Sequence, residues 1–321
     1  MDAIDYAKSY RPAGSQVEEV NDPILSDSGI RLLIKRDDLI HNHISGNKWR
    51  KLKYNLSEAV QQNHHTILTF GGAYSNHIAA TAFACKKAGL ESIGIIRGED
   101  DLTNPTLQFA RENDMQLHFV SREDYRKKND DNFLDALETR FGRFFLVPEG
   151  GANGLGVRGC AEILPEREES FDVVCCAAGT GTTLAGLALT LKENQQLLGF
   201  PALKGGDFLK DEVERLIGES RLASLSAVEG SIGFDSAQPS FGLITDYHFG
   251  GYAKVKPELL DFIQGFTERT GIPLDPIYTG KMMFGIYDLI QKEFFREGST
   301  ILAIHTGGLQ GWDGMIQRDL V

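Results

Sequence analysis

Along the chain, short apolar runs rich in β-branched residues alternate with longer stretches whose apolar positions recur every three or four residues. A period of two marks strands and a period near 3.6 marks helices, so the alternation predicts βα units around a mostly parallel sheet. The fold class is therefore α/β, and all-helical or all-strand architectures are excluded. Strands are expected at Arg31 to Lys35, Thr66 to Phe70, Ser92 to Ile96, Gln116 to Val120, Phe144 to Val147, Asp172 to Ala177 and Thr300 to His305, with helices between most of them. The polar stretch Arg122 to Asn132 and the Gly205-Gly206 pair are expected loops or boundaries. At 321 residues the chain exceeds what one hydrophobic core usually serves.

Four of these strands run into glycine-bearing turns: Gly71-Gly72, Gly150-Gly151, Gly179-Thr180-Gly181 and Gly307-Gly308. Open parallel sheets collect ligands at the carboxyl ends of their strands, so this layout points to a small-molecule site. It also gives a location to a glycine excess of 35 residues, which 10 prolines and the lack of any repeat separate from low-complexity sequence. Charge narrows the partners. With 33 Lys and Arg against 45 Asp and Glu the net charge is −12, which gives phosphodiester backbones no attractive field and argues against nucleic acid.

Cys85, Cys160, Cys175 and Cys176 have neither zinc-finger nor disulfide-framework spacing and read as reduced, mostly buried thiols. The start, Met-Asp-Ala-Ile-Asp-Tyr, lacks the basic and apolar regions of a signal peptide, so a cytoplasmic location is expected. The uncharged run from Val173 to Leu191 is long enough to span a bilayer, but its Gly/Thr centre fits a buried strand, loop and helix better, and no membrane segment is expected. His41, His43, His64 and His65 lack a third ligand at usable spacing, so no metal is assigned.

Three stretches carry chemistry. Gly179-Thr180-Gly181-Thr182-Thr183 joins a strand to a helix, and its small residues, free amides and hydroxyls form a cup for an anion. It lacks the Lys-Ser/Thr ending of a nucleotide P-loop, so a phosphorylated cofactor is preferred over ATP. Lys48, after Gly46-Asn47 at a helix start, would have its ammonium destabilised by the dipole and by Arg50 and Lys51. On spacing alone this is also a solvated basic first turn. In Gly71-Gly72-Ala73-Tyr74-Ser75-Asn76-His77, the amides, Ser75 and Asn76 could hold a carboxylate or phenolic oxygen, although capping explains Ser75 as well. His77 reads as structural. Gly154-Leu-Gly156-Val-Arg-Gly159 matches a dinucleotide pattern but lies beyond the strand end, with no acidic residue closing the next strand, so it reads as a turn or helix-packing segment. Tyr252 and Tyr278, taken alone, are core aromatics.

Together these segments resemble the pyridoxal-phosphate enzymes of fold type II, the tryptophan synthase β superfamily, and within it the 1-aminocyclopropane-1-carboxylate (ACC) deaminase and D-cysteine desulfhydrase family. The likeness runs from Lys35-Arg36-Asp37-Asp38 to His305-Thr306-Gly307-Gly308, with 27 residues from Lys48 to Ser75 and 26 from Tyr252 to Tyr278. The resemblance implies pyridoxal 5'-phosphate as cofactor and Lys48 as its Schiff-base lysine and α-proton base. It implies Asn76 opposite the cofactor's 3-oxygen, Ser75 beside the substrate carboxylate, and Lys51, Thr180, Gly181, Thr182 and Thr183 around the phosphate. Tyr252 and Tyr278 become substrate-facing residues, and Thr279 and Thr306 cofactor contacts. Two mostly parallel sheets are implied, in a larger domain of residues 1–51 and 148–321 and a smaller one of 52–147, in a homodimer.

Where ACC deaminases carry Glu after the second tyrosine, this chain has Thr279, and where they carry Leu before the late Gly-Gly it has Thr306; both substitutions look like the desulfhydrase branch. Tyr74 replaces the deaminases' Gln, and Trp49 follows the lysine where a small residue is common. A carboxylate at the pyridine nitrogen keeps it protonated and strengthens the electron sink, whereas a hydroxyl does not. A weaker sink suits a good leaving group, so D-cysteine is preferred over ACC. The expected activity is β-elimination from D-cysteine to pyruvate, ammonia and sulfide. ACC deamination to 2-oxobutyrate, a racemase or L-amino-acid lyase, and a non-catalytic pyridoxal-phosphate-binding protein are the alternatives.

Overall fold

The computed structural model describes residues 15–25, 28–44, 46–164, 170–226 and 241–317. The N-terminal segment read above for targeting lies outside them. The strands are β1 (Val17–Glu19), β2 (Arg31–Lys35), β3 (Thr66–Gly72), β4 (Glu91–Arg97), β5 (Met115–Val120), β6 (Phe145–Val147), β7 (Val173–Ala178), β8 (Gln196–Pro201), β9 (Phe241–Leu243) and β10 (Thr300–Ile304). The helices are α1 (Asn47–Gln61), α2 (Asn76–Ala88), α3 (Pro105–Glu112), α4 (Arg122–Tyr125), α5 (Asp131–Phe141), α6 (Gly154–Cys160), α7 (Thr182–Ala188), α8 (Leu209–Ser226), α9 (Pro257–Thr270), α10 (Thr279–Gln291) and α11 (Gly311–Ile316).

Two sheets form. One has the order β1-β2-β10-β7-β8-β9 and is parallel except for the antiparallel edge β1; the other, β5-β4-β3-β6, is parallel throughout. β7 is buried at every position because helices cover both faces. Its side chains alternate between two cores: Val173, Cys175 and Ala177 join Leu32, Ile34, Phe200, Ile301 and residues of α9 and α10. Val174, Cys176 and Ala178 join Leu33, Leu302, Ile304 and residues of α6, α7 and α8. At about 1.5–3 kcal/mol for each fully buried large aliphatic side chain, these two faces hold the larger sheet together. The smaller sheet is packed the same way, with Ile67 against α1 and α2, and Phe70 and Ile95 against Tyr125 and Leu137.

All seven expected strands are present, with ends displaced by at most two residues. β1, β8 and β9 were not anticipated. β1 and β9 are three-residue edge strands, too short for an alternating side-chain pattern to show. β8 carries Gly199, which breaks its apolar pattern yet is needed, because a Cβ there would lie 2.5 Å from Leu184 Cδ1. The expected loop at 122–132 is confined to residues 126–130, flanked by α4 and the first turn of α5. Ser121 and Asp130 cap them by accepting main-chain N–H bonds, and Tyr125 buries itself against Phe70. Among the described residues no helix is long and apolar enough to cross a membrane, and no group of His, Cys, Asp and Glu could hold a metal ion.

Candidate active site

Lys48 sits on the first turn of α1, and a glycine decides where that turn goes. Gly46 has φ +62°, and a Cβ on it would lie 1.7 Å from the Thr306 carbonyl oxygen. The loop before α1 therefore lies directly on the 306–307 segment after β10. The first turn is not solvated, contrary to the alternative its spacing allowed. Arg50 donates from Nε to Asp37 Oδ2 at 2.6 Å and from Nη2 to Oδ1 at 3.1 Å, with Asp37 fully buried. Lys51 is 3% exposed, and among the described residues its amine makes no hydrogen bond or ion pair.

Burial and the neighbouring Lys51 charge pull the Lys48 amine down to about 7. The cause differs from the expectation: burial is the larger effect, and Arg50 is already neutralised by Asp37. Lys48 Nζ donates to Asn47 Oδ1 at 3.0 Å, and Asn47 Nδ2 donates to Thr183 Oγ1 at 2.8 Å, which ties the lysine to the Gly/Thr loop. Sequence reasoning passed over Asn47, although its place beside Lys48 was the available signal. Lys48 opens onto a small cavity with Asn76, Thr306, Gly308, His43 and Gln310.

The Gly179–Thr183 loop follows buried β7, and Gly181 takes φ +77° at the N-cap of α7. Thr180 and Thr182 hydroxyls lie 3.0 Å apart. A Cβ on Gly150 would meet Thr180 Cγ2 at 2.8 Å, and one on Gly151 would meet Lys51 Cβ at 3.0 Å, so two glycine turns and Lys51 converge. A buried lysine, its amine unpaired among the described residues, beside hydroxyls and the amides of a helix start fits a dianionic phosphate, whose charge would stabilise its protonated form. The Gly154–Gly159 segment is a packing helix: a Cβ on Gly159 would lie 1.8 Å from the Arg50 carbonyl oxygen.

Ser75 caps α2, accepting the Ile78 N–H at 3.4 Å, and Asn76 faces the Lys48 cavity. His77 is buried with Nε2 2.9 Å from Thr69 Oγ1, and Thr69 donates to the Val147 carbonyl at 2.7 Å. The single hydroxyl proton is thus used, so the ring donates at Nε2 and leaves Nδ1 without a partner. Burial, with the Lys48 and Lys51 charges, holds His77 neutral. It is structural, though not fully satisfied.

Tyr252 is 45% exposed and therefore not a core aromatic. Its ring stands edge-on to Tyr278 with centroids 6.0 Å apart, and a Cβ on Gly179 would meet the Tyr278 ring at 3.1 Å. Burial raises both phenols, so both carry their protons at neutral pH. Thr279 is fully buried at the start of α10 and donates to Asp275 Oδ2 at 2.6 Å while accepting the Asp275 N–H at 3.0 Å. Asp275 also accepts the Ile277, Tyr278 and Thr279 N–H groups. This carboxylate was missed, although Asp before a proline is a turn signal whose side chain bonds the N–H groups that follow. It means that the Thr279 hydroxyl is backed by a negative charge.

A lysine amine lowered to about 7 beside an Asn/Thr cavity, next to a Gly/Thr loop and a buried lysine unpaired among the described residues, defines an enzyme built to hold a phosphorylated aldehyde between two mostly parallel sheets. The chain belongs to the pyridoxal-phosphate dependent enzyme family, whose model matches residues 20–307. It has fold type II, and its cofactor is pyridoxal 5'-phosphate. Over 90% of this chain and 87% of the relative it is 34% identical to a Pyrococcus horikoshii protein provisionally named 1-aminocyclopropane-1-carboxylate deaminase. It is 33% identical to the Arabidopsis thaliana mitochondrial bifunctional D-cysteine desulfhydrase/1-aminocyclopropane-1-carboxylate deaminase, over 88% of this chain and 74% of that protein. The crystal structure of an ACC deaminase homologue superposes with a TM-score of 0.81 at 29% identity, covering all of both chains.

Proposed function

We propose that the enzyme eliminates the β-substituent of a small amino acid, D-cysteine first, giving pyruvate, ammonia and sulfide. The observation that carries this reading is the Lys48 amine, brought to about 7 beside Asn76 and Thr306, where it can exchange a proton at neutral pH. When bound, the cofactor supplies an aldehyde for amines and a ring that withdraws electrons from the α-carbon. Lys48 would hold the aldehyde carbon and take the α-proton. Ser75, Asn76 and the amides at the start of α2 would fix the carboxylate so that the Cα–H bond faces Lys48. Lys51, Thr180, Gly181, Thr182 and Thr183 would hold the phosphate. The protonated Tyr252 and Tyr278 phenols, paired edge to face, would hydrogen-bond the departing group, and Thr279 and Thr306 would border the ring.

ACC deamination is the second reading, and the Asp275 carboxylate behind Thr279 favours it. A hydroxyl that gives its proton to a carboxylate offers a lone pair to a protonated ring nitrogen, which strengthens the sink beyond what residue type suggests. Steady-state comparison of D-cysteine, L-cysteine, D-serine, 3-chloro-D-alanine and ACC decides between them. We expect the highest kcat/KM with D-cysteine; an equal or higher value with ACC reverses the order, and spectral shifts with no keto acid from any substrate would leave a binding protein.

The domain division at 51/52 and 147/148 is part of the same proposal. The smaller sheet is drawn from residues 66–147 and the larger from 17–35 and 173–304, while α1 runs through the first boundary. Four buried free thiols fit a reducing compartment such as the cytoplasm. A homodimer follows from the family resemblance and is checked by light scattering.

A further inference from the structure

Helix α10 and its N-cap Tyr278 present one face, at positions 278, 281, 284 and 288, to the segment 247–252. Tyr278 faces Tyr252, Phe284 stands edge-on to Phe249 at 4.9 Å between centroids, and Asp288 accepts the Tyr247 hydroxyl proton. Between these contacts Lys281, 2% exposed, donates from Nζ to the His248 carbonyl at 2.9 Å and the Gly251 carbonyl at 2.8 Å. The segment it grips is conformationally costly. Phe249, Gly250, Gly251 and Ala253 have φ of 53°, 99°, 122° and 51°, and two of the four carry side chains that disfavour this region.

The same two carbonyls accept the turn's own bonds, from the Gly251 N–H at 3.0 Å and the Lys254 N–H at 3.1 Å. Each carbonyl thus uses both lone pairs, one for the turn and one for Lys281. Burial lowers the Lys281 amine to about 8, and a neutral amine still has two N–H groups for its two acceptors. The fastening therefore survives deprotonation. Tyr252 follows Gly251 directly, so the backbone that Lys281 fastens sets where its half-exposed ring meets Tyr278.

We propose that Lys281 is a positioning residue: by clamping the His248 and Gly251 carbonyls to α10 it holds the Tyr252 phenol beside Tyr278 at the cleft. The inference rests on Tyr252 being a substrate-facing group. Its test is Lys281→Met in the full-length, pyridoxal-phosphate-loaded enzyme, which keeps an apolar stem and leaves each carbonyl its backbone partner. Amide exchange at Gly251 and Lys254 is expected to quicken at least tenfold while β7 and β10 are unchanged. For whichever amino acid the native enzyme turns over, kcat/KM is expected to fall at least tenfold, Lys281→Arg to restore most of it, and Tyr252→Phe to cost far less on the Lys281→Met background than alone. Unchanged exchange, or full additivity of the two substitutions, overturns the proposal. Exchange is read without substrate, so a wrong substrate assignment leaves that measurement intact. If Lys281→Met does not fold, Lys281→Gln carries the same measurements.

Discussion

Only a neutral amine adds to an aldehyde, so the protonation of Lys48 governs how fast cofactor-stripped enzyme captures pyridoxal phosphate. The folded-state amine is lowered from 10.5 to about 7, so reactivity is gained as pH rises through 7 and is complete above it. About half of the amine is neutral at pH 7 and about nine-tenths at pH 8, against about 0.03% and 0.3% for an ordinary lysine. The structure thus supplies a gain of about 10³-fold in reactive amine at pH 7. Stopped-flow absorbance of cofactor uptake between pH 5.5 and 9.5, with borohydride trapping and peptide mapping to Lys48, is the assay. The rate constant should climb tenfold per unit below pH 6, bend near 7, and stay within twofold from pH 8 to 9.5. Lys51→Gln should move the bend upward, but only part of the way toward 10.5, because burial is the larger cause. A rate still rising tenfold per unit at pH 9 would refute this account of Lys48.

Three further predictions follow from the site's supports. Gly46→Ala combines φ +62° with a carbonyl 1.7 Å from the new Cβ, so it should cost about 2–5 kcal/mol in urea denaturation and slow cofactor capture; a loss under 0.5 kcal/mol would contradict the close approach. Asp37→Ala strands the buried Arg50 guanidinium and should cost about 3–5 kcal/mol by the same measurement, with less than 1 kcal/mol counting against a closed ion pair. Burial pushes the thiols of Cys85, Cys160, Cys175 and Cys176 up, so native enzyme at pH 8 should show no fast-reacting thiol with Ellman's reagent, and denatured enzyme all four.

The parts of the site that could be read from residues alone were those where chemistry and local geometry coincide. Lys48 after Gly46-Asn47, the Gly179–Thr183 loop and the Gly71–Asn76 turn each join a strand or turn to a helix start, where backbone donors are exposed by construction. The supports could not be read this way, because each depends on a partner far along the chain. Asn47 matters through Thr183, and Lys281 through the carbonyls of 248 and 251. Thr279 shows the hazard of reading residue type without its neighbour: a neutral hydroxyl by sequence, it is backed by the Asp275 carboxylate in the fold.

The sequence by itself determined the α/β class, seven of the ten strands among the described residues and the glycine-ended strand layout, since side-chain period and turn chemistry are local properties. Tertiary structure decided the charge state of the first turn of α1. The residues Lys48, Arg50 and Lys51 could as well have been a solvated basic surface. Burial lowered both amines, and Asp37 neutralised the guanidinium between them. That difference comes from desolvation, which depends on everything packed around a group and is therefore invisible in the order of residues along the chain.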